Sequence, residues 1–482
     1  MMPPHDPWLA LQAWQATWLA GLDPAGLGRA LREARLQRLI GRARRDSPFY
    51  ARRAASARRL EDFEPVGKAE LMEHFDAWAT DRRITRHGAH AHLRQAAPAQ
   101  AWLQRYLLWT SSGTSGHPGL FVQDAASLAA YDALDALRLR GTAPLATGLD
   151  SWGPGRCFAY VGAIGGPYAG YVTLRRLQQL QRSVPAPWRP RLTCLSVLEP
   201  LAQVATRLQR LQPEVLITYP SCAAALASWQ AEGRMALTLR ELWLGGEQLS
   251  AAQRQQIGQA FACPLRNSYG ASECYSMAFE CSHGRLHLND DWVVLEGVDA
   301  GGRPTPVGDF SHTTLLTNLA NQTQPLLRYT LTDRVRFDPA PCACGSAWPV
   351  IEVQGRGDDV LQLPGLGGSP VVLLPLALET VLEEEAGVTR FQLLVHADDR
   401  IELRLAVAGS ENEGNAAAAF ERCRQALQRY LSLQQARQPA LLHGRGAPAQ
   451  QAGSGKLRRV IDLRRDGHAA GPSSVATPHP PR

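Results

Sequence analysis

The sequence predicts an α/β protein: a large multi-subdomain N-terminal α/β domain followed by a small mobile C-terminal α+β domain. Three observations predict it. Short apolar runs alternate with amphipathic helical segments through the middle of the 482 residues, the signature of a mostly parallel sheet with helices on its faces. The pattern changes over the last ~125 residues to a hairpin followed by one long helix. The chain is 45% hydrophobic and long enough to bury at least one large core and to split into two to four domains or subdomains.

Taken in order, residues 8–60 carry apolar side chains at three- and four-residue spacing (Leu9, Leu11, Trp14, Trp18) among many Ala and Arg, which predicts helices. Leu201–Leu211 predicts an amphipathic helix ended by Pro213. Val215–Tyr219 then reads as a strand, Ala223–Glu232 as a helix, and Leu239–Leu244 as a strand running into Gly245-Gly246. Phe391–Val395 and Ile401–Val407 predict a hairpin, and residues 414–433 a strong helix. The expected divisions are 1–95 (helical part of the large domain), 96–355 (core of the large domain), 356–465 (small domain) and 466–482, a Pro-, Ser- and Gly-rich tail expected to be disordered. There is no internal repeat.

The net charge is +7, but its signs alternate along the chain, and only Lys68 and Lys456 of the 51 basic residues are lysine. That imbalance reads as GC-rich coding bias. No basic stripe interleaved with aromatics accompanies it, so nucleic-acid binding is not expected. No apolar run reaches the ~18 residues of a membrane span, and the N-terminus does not read as a signal peptide. Nine cysteines in so long a chain argue against a disulfide framework and for a reducing cytoplasm, with thiols free for metal.

The strongest local signal is Leu107-Leu108-Trp109-Thr110-Ser111-Ser112-Gly113-Thr114-Ser115-Gly116-His117-Pro118-Gly119. An apolar strand runs into a loop whose glycines admit close backbone approach and whose hydroxyls donate, a fit for phosphate oxygens. A plain Ser/Gly-rich surface turn is the competing reading. Later come Tyr269-Gly270-Ala271-Ser272-Glu273, Arg328-Tyr329-Thr330-Leu331-Thr332-Asp333, Gly355-Arg356-Gly357-Asp358-Asp359 and Gly453-Ser454-Gly455-Lys456.

In this order these five segments resemble the adenylate-forming superfamily of acyl- and aryl-CoA ligases, and are most similar to its phenylacetate-CoA ligase and coenzyme F390 synthetase branch. Ser47-Pro48-Phe49-Tyr50 and Pro65-Val66-Gly67-Lys68 resemble N-terminal segments of the same branch, and no catalytic role is expected for Lys68. The resemblance implies ATP and AMP binding by Ser111, Ser112, Gly113, Thr114, Ser115 and Gly116. It also implies an aromatic cover for adenine from Tyr269 with Gly270, and magnesium at Glu273. Asp333 would take the ribose, Arg356 would reach the ribose and phosphates, and Asp358 would be the hinge of the small domain. Lys456 would stabilise charge as the acyl-adenylate forms, with Glu273 and Thr114 assisting. His117 replaces the family's lysine, and Thr332 the glycine before the ribose aspartate.

Cys281, His287, Cys342 and Cys344 form a closed set of three thiolates and an imidazole suited to structural zinc. His283 competes with His287, and the spacing in zinc-carrying members of the branch selects His287. The acid pocket implied by the resemblance comprises Tyr160, Gly162, Ala163, Tyr219, Gly245, Gly246 and Glu247, a glycine-rich apolar lining suited to an aryl or arylacetic acid. The expected reaction is ATP- and Mg²⁺-dependent activation of that acid and transfer to CoA. The alternatives are a carrier-protein phosphopantetheine or an amine as acceptor, or a catalytically silent binding protein of the same fold. A homodimer is compatible with the sequence.

Overall fold

The computed structural model describes residues 4–111, 119–139, 155–185, 188–331, 333–354, 360–398, 400–406, 413–449 and 458–466. The chain forms two compact units, Met1–Arg356 and Gly357–Arg482.

The first unit begins with helices. In α1 (Pro7–Leu22) the Asp6 carboxylate caps the first turn by accepting the N–H groups of Trp8 and Leu9, and Pro7 sits where no N–H is needed. Helix α2 (Arg29–Asp46) buries Leu36, Leu39, Ile40 and Ala43, the helical spacing of one inward face. It is followed by α3 (Pro48–Arg53), α4 (Lys68–Glu73), α5 (Phe75–Trp78) and α6 (Arg86–Gln95). The hairpin β1 (Leu107–Thr110) and β2 (Leu120–Gln123) precedes α7 (Ala125–Leu134). Phe63, Phe75, Trp78, Trp109 and Phe121 fill the core between these helices and the sheets.

Among the described residues the main sheet has nine strands. β3 (Cys157–Gly162), β4 (Arg191–Ser196), β5 (Val215–Thr218), β6 (Glu241–Leu244) and β7 (Leu265–Ala271) are parallel and joined by helices, including Leu201–Leu211 and Pro220–Ala231. β8 (Cys274–Glu280) and β9 (Leu286–Leu288) continue the sheet. After β10 (Val293–Val298), β11 (Thr313–Asn318) and β12 (Leu326–Leu331), which form their own antiparallel sheet, β13 (Arg334–Phe337) and β14 (Val350–Gln354) complete it. The order is β13-β14-β9-β8-β7-β6-β5-β3-β4. The expected mostly parallel sheet is thus only half parallel. The reversal occurs at Ser272-Glu273, where Ala271 pairs with Cys274, and a two-residue turn joins only antiparallel strands.

In the second unit β15 (Leu361–Pro364) and β16 (Pro370–Leu373) form a hairpin. β17 (Phe391–Val395), β18 (Ile401–Leu405), β19 (Leu441–His443) and β20 (Val460–Asp462) form a four-stranded sheet in the order β19-β18-β17-β20. The helix Glu413–Leu433 buries Ala419, Cys423, Ala426, Leu427, Tyr430 and Leu431 at three- and four-residue spacing. Arg459 is fully buried and donates through Nη1 to Glu379 (2.7 Å) and Glu383 (2.6 Å), so its charge is paired. Among the described residues no helix is long and apolar enough to cross a membrane.

Candidate active site

The glycine-rich segment joins β1 to β2 in sequence. At its base the Ser111 N–H donates to the Gly119 carbonyl (2.9 Å), and the Gly119 N–H donates to Ser111 Oγ (2.9 Å), so the loop ends are fixed side by side. Residues 112–118, including Thr114, lie outside the described residues.

Glu273 stands at the tip of the β7–β8 turn. The β1 strand clamps that turn: Trp109 Nε1 donates to the Ser272 carbonyl (2.8 Å) and Ser272 Oγ donates to the Thr110 carbonyl (3.2 Å). Only glycine fits at position 270, because a Cβ there would lie 2.0 Å from the Tyr275 carbonyl oxygen. The register shift between Tyr269 and Ala271 allows this approach. The Glu273 carboxylate is buried. Its Oε1 accepts from the Tyr329 hydroxyl (2.9 Å) and lies 3.4 Å from Lys68 Nζ, which also donates to Ser111 Oγ at 3.0 Å. Burial first, and then the Glu273 charge, push the Tyr329 phenol far above its ordinary value, so it remains a donor.

No catalytic role was expected for Lys68, yet its ammonium joins this cluster of candidate residues. Val66 pairs as a parallel bridge with Tyr329: the Val66 N–H donates to the Arg328 carbonyl (3.2 Å), and the Thr330 N–H donates to Val66 (2.9 Å). Lys68 is therefore carried in on the edge of β12, the strand that presents Tyr329 to Glu273. The available signal was its rarity, one of two lysines against 51 basic residues in all.

Beside this cluster the Tyr269 hydroxyl donates to Asp333 Oδ2 (2.9 Å). Burial and then the neighbouring Asp333 charge raise the Tyr269 pKa well above the ordinary phenol range. The two residues assigned to adenosine are thus adjacent. Thr332, Arg356, Asp358 and Lys456 lie outside the described residues.

The proposed acid-pocket residues gather at the carboxyl ends of β3, β5 and β6, where the adjacent strands β3 and β5 lead in opposite directions, to β4 and to β6, the usual position of a ligand crevice in such sheets. The Tyr160 and Tyr219 hydroxyls are 3.3 Å apart, and the Ala163 N–H donates to Tyr219 (3.3 Å). Tyr160 folds over Gly162, where a Cβ would lie 2.3 Å from the ring. Gly246 has φ +79° and lies against the Tyr219 ring. Gly245 abuts Ser268 Oγ. Glu247 accepts the N–H and hydroxyl of Ser221 (both 2.9 Å), which caps the first turn of the Pro220–Ala231 helix.

Away from this crevice, the ligand atoms of Cys281, His287, Cys342 and Cys344 all lie within 4.8 Å of one another. Cys281 Sγ and Cys342 Sγ are 3.7 Å apart, and Cys344 Sγ is 3.4 Å from His287 Nε2. Bonds of ~2.3 Å to one tetrahedral centre place sulfurs about 3.8 Å apart, so the set fits zinc. His287 Nδ1 is 2.9 Å from the Trp348 carbonyl, a partner that turns Nε2 inward, and burial lowers the His287 pKa, favouring the neutral ligand form. His283 is instead exposed beside Ser282.

No protein-family model matches the chain. It is 26% identical over 228 residues to protein CapK of Staphylococcus aureus, a match covering 45% of this chain and 47% of that protein, so the aligned part spans about half of the curated relative. Among solved structures it is similar to 2-hydroxyisobutyryl-CoA ligase in complex with 2-HIB-AMP and CoA in the thioesterification state. The TM-score is 0.56 at 20% identity, covering 93% of this chain and 94% of that one. An open conformation of the same ligase with the same ligands gives a TM-score of 0.52, also at 20% identity, over 91% and 92% of the two chains. The chain therefore has the fold of the adenylate-forming ligases, with a large N-terminal and a small C-terminal domain.

Proposed function

We propose that this chain activates a carboxylic acid, an aryl or arylacetic acid, as its acyl-adenylate and transfers the acyl group to the thiol of CoA. The observation that carries the reading is the meeting of Lys68, Ser111 and Glu273 at the base of the Ser/Gly/Thr loop, with Tyr269 and Asp333 alongside. An ammonium, a hydroxyl and a carboxylate beside a loop of donors form a polyphosphate site, with the acid crevice at the neighbouring strand ends.

In the proposed first step the substrate carboxylate attacks the α-phosphate of ATP and pyrophosphate leaves. Glu273 would hold magnesium, which neutralises phosphate charge when bound. Both described contacts of its carboxylate use Oε1, leaving Oε2 as the oxygen to face the metal. Lys68 places a second positive charge at the same phosphates, held by Ser111 and Glu273. Lys456 is assigned the bridge between substrate carboxylate and α-phosphate, and Thr114 a phosphate contact. Asp333, oriented by Tyr269, would accept from the ribose hydroxyls. Rotation of the small domain about Asp358 would then withdraw Lys456 and admit the thiol. Cys281, His287, Cys342 and Cys344 would hold a structural zinc.

ATP–pyrophosphate exchange across a panel of aryl and aliphatic acids tests this. An acid-dependent exchange is expected, reduced on the order of 10²-fold or more by Lys456→Ala. Absence of exchange with every acid, or indifference to that substitution, would sink the proposal. CoA supplied with the best acid then tests the acceptor by thioester formation.

A further inference from the structure

Helix α1 turns Ala13, Thr17 and Ala20 inward. Ala13 packs with Ala129 and Ala133 of α7, and Trp292 Nε1 donates to Thr17 Oγ1 at 2.9 Å. Its other side is unpartnered among the described residues and conspicuously apolar: Trp8 is 73% exposed, Leu22 62%, Leu11 44%, Leu19 41% and Trp14 38%. Monomeric proteins seldom present so continuous an apolar stripe to water.

Two features of the stripe specify what covers it. From Pro7 to Leu22 the helix contains no charged residue. Four of these five exposed residues are also symmetric about Gln15: reversing the helix about that point exchanges Trp8 with Leu22 and Leu11 with Leu19, while Trp14 falls opposite Ala16. A two-fold interface requires such a self-complementary surface, since residue i meets j where j meets i. We propose that α1 binds α1 of a second copy of this chain, antiparallel, on a two-fold axis through Gln15. Apolar side chains then meet apolar ones without like-charge repulsion. The Gln15 amide has both donor and acceptor and meets its own symmetry mate, and such a central polar pair fixes register. A lipid surface is disfavoured, because the helix lacks the Lys and Arg of interfacial helices and is flanked by Asp6 and Asp23.

The test is the solution mass of the full chain by light scattering during size-exclusion chromatography. The wild type is expected to be a dimer at micromolar concentration. The variants L11E/L19E and L11K/L19K, altered only at exposed positions, are each expected to be monomeric, with self-affinity weakened at least ~100-fold. Mixed in equal amounts they should recover a dimer, since each Glu then faces a Lys. Circular dichroism and melting should match the wild type, and Leu→Gln at both positions serves as an uncharged second variant, expected to weaken the dimer less. A monomeric wild type, a dimer that survives L11E/L19E, a mixture that stays monomeric, or wild-type binding to phosphatidylcholine vesicles in place of self-association would each overturn the proposal.

Discussion

The Lys68 ammonium is shared between a hydroxyl at the base of the loop and a carboxylate at the tip of a hairpin, so its position is over-determined before any ligand arrives. On the proposed reading it stabilises charge developing on the phosphates. Lys68→Met should lower the exchange kcat/KM for ATP on the order of 10²-fold, with Lys68→Arg retaining part of it. Exchange kinetics together with a melting curve check this; equal loss of stability and activity in both variants would indicate a structural role only. Sequence motifs singled out Ser111, Tyr269, Glu273 and Asp333 as candidates, because each lies in a short run with its own chemistry. Lys68 was not legible, because it reaches the site through the bridge between Val66 and Tyr329, residues more than 260 positions apart. Local pattern carries no trace of such a pairing.

At the scale of elements, the cysteine–histidine cluster draws on four strands. His287 lies on β9 opposite Val350 of β14, Cys281 follows β8, and Cys342 and Cys344 lie between β13 and β14. β13 starts immediately after Asp333, and Arg334 at its first position pairs with Gln354 at the end of β14. Metal in this cluster would hold the hairpin that follows Asp333, the carboxylate proposed for the ribose. Cys344→Ser is expected to lower bound zinc from about one per chain toward zero and the melting temperature by roughly 5–10 °C. Elemental analysis and calorimetry give both numbers; full zinc retention in that variant would exclude Cys344 as a ligand. The N-terminal helices and the strands near 215–218 and 241–244 with the helices preceding them were legible from their periodicity, Leu201–Leu211 to the residue. The antiparallel half was not, because β8, β9, β13 and β14 are short and their pairing depends on which strand each meets.

For the whole molecule, the two units differ in pattern as the sequence does, with helix-linked parallel strands in the first and a hairpin plus one long helix in the second. On the proposed mechanism they act in turn. Restricting the backbone at the hinge should separate the half-reactions: Asp358→Pro is expected to keep ATP–pyrophosphate exchange within a few-fold while reducing thioester formation on the order of 10²-fold or more. Parallel assays of exchange and thioester release decide it, and equal loss in both would place the hinge elsewhere.

The chain's near-exclusive use of arginine has a consequence for covalent chemistry. Guanidinium groups do not acylate under conditions in which amines do. An amine-acylating donor, whether a reagent, a modifying enzyme or the acyl-adenylate of the proposed reaction, finds only two side-chain amines in 482 residues. One of them, Lys68, is shielded by burial and its carboxylate partner. Any acyl mark that enters this protein on lysine therefore falls on the proposed catalytic machinery and alters its charge, which would make lysine acylation a direct off-switch.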